Sequence, residues 1–184
     1  LTGAAAPAAE LRRMSLAQLA RLEVTSVSKE PAPVRDAAAA VYVITRQDIR
    51  RSGATSLAEA LRLAPNLLVT QLDAANYAVS ARGLGGNPDV QSFANKLLVL
   101  IDGRSVYSPL FSGIYFDAQD VMLEDVERIE VISGPGATLW GANAMHGVVN
   151  VITRHTLATH GNLAAVGLGN REVCGSFRHG GQHG

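Results

Sequence analysis

The apolar run Leu97-Leu98-Val99-Leu100-Ile101 is cut off by Asp102-Gly103. A short continuous apolar stretch that ends in hairpin turn chemistry reads as a buried strand. Runs this short exclude a membrane-spanning helix, which needs about 18 to 20 apolar residues. They do not exclude strands of a transmembrane barrel, each of which needs only about 9 to 11 residues of weak alternation. Strands and turns therefore set the frame for the rest of the chain.

Val41-Tyr42-Val43-Ile44 reads as a second buried strand, and Thr45-Arg46-Gln47-Asp48 follows it with the form of a helix N-cap and an acidic residue three positions on. That helix ends near Gly53. Ser56-Leu57-Ala58-Glu59 has the form of a capping box, and Leu57, Ala60, Leu61 and Ala64 fall on one helical face before Pro65 stops it. Leu67 to Gln71 and Tyr77 to Arg82 are strand candidates, and Arg104 to Tyr107 returns from the Asp-Gly turn. Farther on, Glu127 to Ile132 alternates, Ser133-Gly134-Pro135-Gly136 turns, and Gly147 to Thr153 forms another strand. These elements predict an α/β (α+β) domain: a small mixed β-sheet with two or three short helices. After His155, Leu163 to Leu168 and Glu172 to His179 flank Gly169-Asn170, the pattern of a hairpin with no helix to cover it.

A chain of 184 residues can bury most of its apolar surface around one core without metal or disulfide, and its single cysteine, Cys174, forms no internal disulfide. The 16 basic and 16 acidic side chains cancel, which argues against nucleic acid as a partner. The balance conceals a gradient, since residues 65–132 hold 9 acidic and 4 basic side chains. Of the 18 glycines, only Gly3 and Gly53 precede residue 81, so the second half is where unusual backbone conformations are concentrated.

No catalytic constellation emerges. Gly83-Leu84-Gly85-Gly86 leads to Asn87-Pro88, with neither the helix nor the Lys and Ser/Thr of a phosphate loop. His146 lies beside Gly147 in an apolar setting without a nucleophile to serve. His155, His160, His179 and His183 fall in a Gly-rich tail at spacings with no ligand-bearing helix, so no metal is expected. Glu124, Asp125, Glu127 and Glu130 could form an acid/base pair, but Arg128 among them favours a solvated strand edge or an ion-pair network.

Several blocks, in order, resemble the plug domain of TonB-dependent outer-membrane receptors. Ala39-Ala40-Val41-Tyr42-Val43-Ile44-Thr45 with Asp48-Ile49 and Gly53 is similar to that family's opening strand and helix. Leu57-Ala58-Glu59-Ala60-Leu61 leading to Pro65-Asn66-Leu67 follows, with Asn66 in place of the usual Gly. Arg82-Gly83-Leu84 matches an Arg-Gly step, and Leu98 to Arg104 the central strand and its turn. The longest block runs from Leu123 through Ser133-Gly134-Pro135-Gly136-Ala137-Thr138-Leu139-Trp140-Gly141-Ala142-Asn143-Ala144 to Thr153. The resemblance spans about residues 23–156.

It implies a plug inside an outer-membrane barrel of about 22 strands in a Gram-negative bacterium, with its N-terminus facing the periplasm. It also implies import of a ferric siderophore, cobalamin or haem-type ligand, driven by the TonB C-terminal domain without a cofactor or nucleotide in this chain. On that basis residues 1–21 are a flexible leader, 22–30 the TonB box, 31–156 the plug, and 157–184 a linker and the start of the barrel. In the box, Leu22, Glu23, Val24, Thr25, Ser26, Val27 and Ser28 would add as a strand to TonB, with Pro31 and Pro33 as a stiff tether. An ordinary first strand fits the same residues. Arg82, Glu127 and Glu130 are expected at the contact with the protein's own β-barrel, where Ser133 stands in place of a second arginine. Asn76, Tyr77, Asn87, Phe93, Tyr107, Phe111 and Tyr115 are expected on ligand-facing loops. The alternative is a free-standing periplasmic module that binds a protein or small ligand without a barrel.

Overall fold

The computed structural model describes residues 23–24, 32–33, 40–73, 76–81, 96–110, 112–134, 140–169 and 173–181. The leader, most of the expected TonB box, Arg82, Asn87, Phe93 and Phe111 lie outside these residues. Strand β1, Glu23–Val24, pairs antiparallel with β2, Ala32–Pro33. The segment expected to stand alone on a proline tether thus folds back on that tether over two residues.

Strand β3, Ala40–Thr45, runs directly into helix α1, Arg46–Ser52. The local sequence accounts for the junction. The Thr45 hydroxyl accepts the Asp48 N–H, and the Asp48 carboxylate accepts the Thr45 N–H at 3.0 Å, a complete capping box. Gly53 ends the helix at φ 69°, the left-handed conformation glycine adopts without a Cβ penalty. Helix α2, Leu57–Leu61, departs from the expected cap. Ser56 accepts the Glu59 N–H, but the Glu59 carboxylate bonds the N–H and hydroxyl of Thr55 rather than the Ser56 N–H. The helix is also shorter than its apolar stripe, because Leu63 and Ala64 bond three residues back and tighten the last turn ahead of Pro65.

Five strands form the central sheet. To β3 are added β6, Leu97–Ile101; β7, Arg104–Ser105; β8, Val126–Ser133; and β9, Gly147–Thr153, in the order β3-β8-β9-β6-β7. Only β6 and β9 run parallel, so the sheet is mixed, as the sequence predicts. A separate hairpin pairs β4, Leu67–Gln71, with β5, Tyr77–Ala81. The C-terminal segments form another, β10, Gly161–Leu168, with β11, Val173–Gly180.

The registers sort the sheet's side chains into two faces. Ile44, Ile129, Val131, Val149, Val151, Val99 and Leu97 point one way, into a core completed by Ile49 of α1 and by Leu57, Ala60 and Leu61 of α2. The opposite face is apolar only in part. Leu98, Leu100, Ile132 and Val148 pack with Ala144, Val41 and Trp140, while Arg128, Glu130 and Asn150 share the same side. Burial on both faces explains why β6 reads as a continuous apolar run.

The Asp102-Gly103 turn carries both residues at positive φ, 48° and 79°. Asp102 also secures the end of β9: its carboxylate accepts the Thr153 N–H and the Thr153 hydroxyl, each at 2.8 Å. Asp102→Ala removes both bonds and is expected to lower stability by about 2 kcal/mol, typical for bonds to a charged acceptor. Urea denaturation checks this, and a loss below about 0.5 kcal/mol would mean that the cap is idle.

Candidate functional site

Four of the expected ligand-facing residues, Asn76, Tyr77, Tyr107 and Tyr115, lie among the described residues. Tyr107 and Tyr115 are half-buried and flank a tight excursion in which Ser108 and Gly113 exchange backbone hydrogen bonds. The excursion is pinned by Ile114 and Phe116, both sunk in the core, and by the Val106 N–H bonding Val99. Its tip presents Leu110, which is 81% exposed. Such a loop offers an apolar contact on a fixed base.

Asn76 ends a different turn, between β4 and β5, and Tyr77 is the first residue of β5. Asp73 holds that turn by accepting both the backbone and side-chain N–H of Asn76, at 2.9 and 2.7 Å. The Tyr77 ring lies with its centroid 6.0 Å from the Arg62 guanidinium, at the outer limit of a cation–π contact.

The acidic cluster resolves into an ion-pair network, and one expected contact needs correction. Arg128 Nε donates to Glu130 at 2.8 Å, and its Nη1 to Glu127 at 3.1 Å. A bulge at the start of β8 shifts the register between Val126 and Arg128, which breaks the simple alternation read from the sequence. Glu130 is 0% exposed, so this carboxylate offers no surface to a barrel wall; it is an interior group of the plug. The sequence did hold a signal for this, a carboxylate set among Ile129, Val131 and Ile132. Glu127 retains partial exposure.

Two departures from the family's pattern meet in space. The Asn66 side-chain amide donates to the Ser133 hydroxyl, joining the entry to β4 to the end of β8. Ser133 stands where a second barrel-facing arginine is expected, and here it makes a contact internal to the plug. Nothing in the spacing of Asn66 and Ser133, 67 residues apart, discloses that bond.

Arg46, at the start of α1, has its guanidinium value lowered, first by burial and then by repulsion from Arg154 and Arg50, against attraction by Asp125 and Glu124. Two tail histidines make local contacts, one as the cap of a short 3-10 turn and one across the β10–β11 ladder. His155 Nδ1 accepts the Leu157 N–H, and His179 Nδ1 contacts Asn162 at 2.6 Å. Among the described residues no group of three His, Cys, Asp or Glu is placed to hold a metal ion, and no helix is long and apolar enough to cross a membrane.

A mixed sheet with two short helices packed on one face, followed by a separate hairpin, defines the class. Residues 33–148, more than half of the chain, match the TonB-dependent receptor plug domain, and the protein belongs to that family. The vitamin B12 transporter BtuB of Vibrio vulnificus strain CMCP6 is 32% identical over 147 residues, which cover 80% of this chain and 23% of that protein. The ferric enterobactin receptor of Pseudomonas aeruginosa is 34% identical over 137 residues, covering 67% of this chain and 18% of the receptor. Among solved structures, the pyoverdine outer membrane receptor FpvA of P. aeruginosa PAO1 shares the fold with a TM-score of 0.59 at 20% identity, over 79% of this chain and 19% of that one. The chain thus spans less than a quarter of the length of these relatives.

Proposed function

We propose that this chain is the plug of a TonB-dependent receptor in the outer membrane of a Gram-negative bacterium. It fills the lumen of its own β-barrel, helps to capture a ferric siderophore, cobalamin or haem-type ligand, and passes a pull from TonB into opening. It acts as a gate rather than as an enzyme. The observation that carries this reading is the family match over residues 33–148, with the pinned loops above it as capture surface.

The C-terminal hairpin supports the barrel part. By register Ala164, Val166, Leu168, Val173 and Phe177 share one face, and the four largest of these are 71% to 80% exposed. A bare apolar face of this kind suits contact with lipid, with strands alternating as a barrel wall requires. Residues 157–184 are accordingly assigned to the linker and the first wall strands.

Residues 22–28 are assigned to TonB, which would add them to its own sheet through backbone bonds. Among the described residues their pairing with β2 covers Glu23 and Val24, a ladder for TonB to displace. Deleting residues 22–28 is expected to abolish capture of the chain by the TonB C-terminal domain in a pull-down, and undiminished capture would refute the assignment. Arg82 and Glu127 are proposed to face the barrel; Arg82→Ala in the complete receptor should lower the force needed to unplug it.

A further inference from the structure

The two faces of the C-terminal hairpin differ along their length. On the exposed face Asn162 lies opposite His179, Ala164 opposite Phe177 and Leu168 opposite Val173, with Val166 between the last two levels. The other face, which carries Leu163, Ala165 and Arg178, is half-buried. Taken from the Gly161/Gly180 end, the exposed face is polar for one level and apolar from there on. At the polar level His179 Nδ1 lies 2.6 Å from Asn162 Oδ1. A carbonyl oxygen only accepts, so Nδ1 carries the proton, and in the neutral ring Nε2 is left as an acceptor. Imidazole combines an apolar body with a polar tip, which suits it to a boundary between hydrocarbon and water.

The level of that polar pair within the molecule is fixed from the inner face. Arg178, the neighbour of His179, places Nε 2.9 Å from Asp125 Oδ2 and donates from Nη1 to the Thr159 carbonyl. Asp125 closes the 3-10 turn Leu123–Asp125 that leads into β8, and its carbonyl accepts the Arg154 N–H at 2.8 Å, directly after β9. This is the Ile101 end of the central sheet, where Asp102 takes the Thr153 N–H. Loop 107–115 leaves toward the Leu97 end, because β7 runs back along β6 and the Val106 N–H bonds Val99. Asn162 and His179 thus lie at the level of the sheet end that faces away from the capture loops.

We propose that Asn162 and His179 mark the level at which phospholipid headgroups of the periplasmic leaflet meet the barrel wall, an inference that rests on the assignment of residues 157–184 to that wall. The pair is bonded across the ladder, so it sits at the edge of the hydrocarbon without an unpaired amide, and Nε2 accepts an N–H from the ammonium group of phosphatidylethanolamine. Wall strands rise about 3.3 Å per residue and tilt by about 40°, so each outward-facing level stands about 5 Å above the last. Phe177 is then about 5 Å, Val166 about 10 Å and Leu168 about 15 Å inside an apolar band about 25 Å tall. The charged Asp125–Arg178 pair stays at the rim, on the inner face. The link below it, with His155, Thr156 and His160, lies on the water side, and Leu157 is its one large apolar side chain, 65% exposed.

Nitroxides on single introduced cysteines test the level, in the complete receptor with Cys174→Ser, reconstituted in vesicles of phosphatidylethanolamine and phosphatidylglycerol. Leu157, Asn162, Val166, Phe177 and His179 are all exposed, so a label at each leaves the packing of the plug untouched. The ratio of collisions with oxygen to collisions with a water-soluble nickel chelate is expected to rise roughly fivefold or more from His179 to Val166, with Phe177 between them, as depth increases by about 10 Å. Labels at Asn162 and His179 should match a lipid labelled on its headgroup, and Leu157 should read as water. A label at His179 as deep as that at Val166, or one at Leu157 deeper than that at His179, would overturn the boundary and leave the wall in the membrane. Labels at Phe177 and Val166 shielded from both colliders would show that protein covers this face, and free access of nickel to both would show that water does. Either result overturns the proposal, and the second also counts against the wall assignment itself.

Discussion

Gly147→Ala is expected to lower the stability of the plug by about 3 kcal/mol, a large share of the roughly 5 to 15 kcal/mol that holds a domain folded. Gly147 opens β9, opposite Ser133 of β8 and alongside Leu97 of the parallel strand β6. A Cβ there would lie 2.5 Å from the Ile132 carbonyl oxygen and 3.4 Å from Leu97 Cδ1. The second neighbour can rotate. The first is backbone in a paired strand, so relief requires β8 and β9 to move apart in the middle of the sheet. Gly53 provides the contrast: a Cβ there meets nothing within 4 Å, and the cost of Gly53→Ala comes from its φ of 69° alone, about 1 kcal/mol. Urea midpoints for the two variants separate the effects. Equal losses would show that the Gly147 contact is relieved cheaply.

Arg128→Met is the second large effect, expected to cost about 3 to 5 kcal/mol because it strips a partner from a carboxylate with no exposed surface. The reverse deletion should be milder. With Glu130 replaced by Gln, Arg128 keeps its contact with Glu127 and reaches solvent through the 22% of its side chain that is exposed. Replacing both, Arg128→Met with Glu130→Leu, should recover most of the loss, since a buried pair contributes little beyond a well-packed apolar pair. Equal costs for the two single variants would contradict this asymmetry. The pair lies on the partly polar face of the sheet, beside Asn150 across the β8–β9 ladder, so its loss should loosen that face and leave the helix-covered core intact.

Features set by near neighbours were legible in the sequence. Thr45 and Asp48 cap a helix three residues apart in any fold, and Asp102-Gly103 turns because both residues tolerate positive φ. The mixed sheet and its short helices follow from those local elements. The strand order β3-β8-β9-β6-β7 does not, because it depends on pairings such as Leu97 with Gly147 that no local pattern encodes. The full burial of Glu130 departs from simple alternation for a related reason. Alternation assumes one wet face, whereas β8 is an inner strand covered on both sides and bulged at its start. The Asp125–Arg178 ion pair and the Asn66–Ser133 bond join residues 53 and 67 apart, and only the folded chain brings them together. The loop residues Tyr107 and Tyr115 were placed by family resemblance, and what sets their positions is the burial of Ile114 and Phe116 beside them.

The central claim, that this domain closes a pore, is tested most directly by single-channel conductance of the complete receptor in planar bilayers, with and without residues 40–153. The intact protein should stay closed, and the deleted form should open a large, persistent, voltage-insensitive pore. A deleted form that conducts no more than the intact one would contradict the assignment of this chain as a plug.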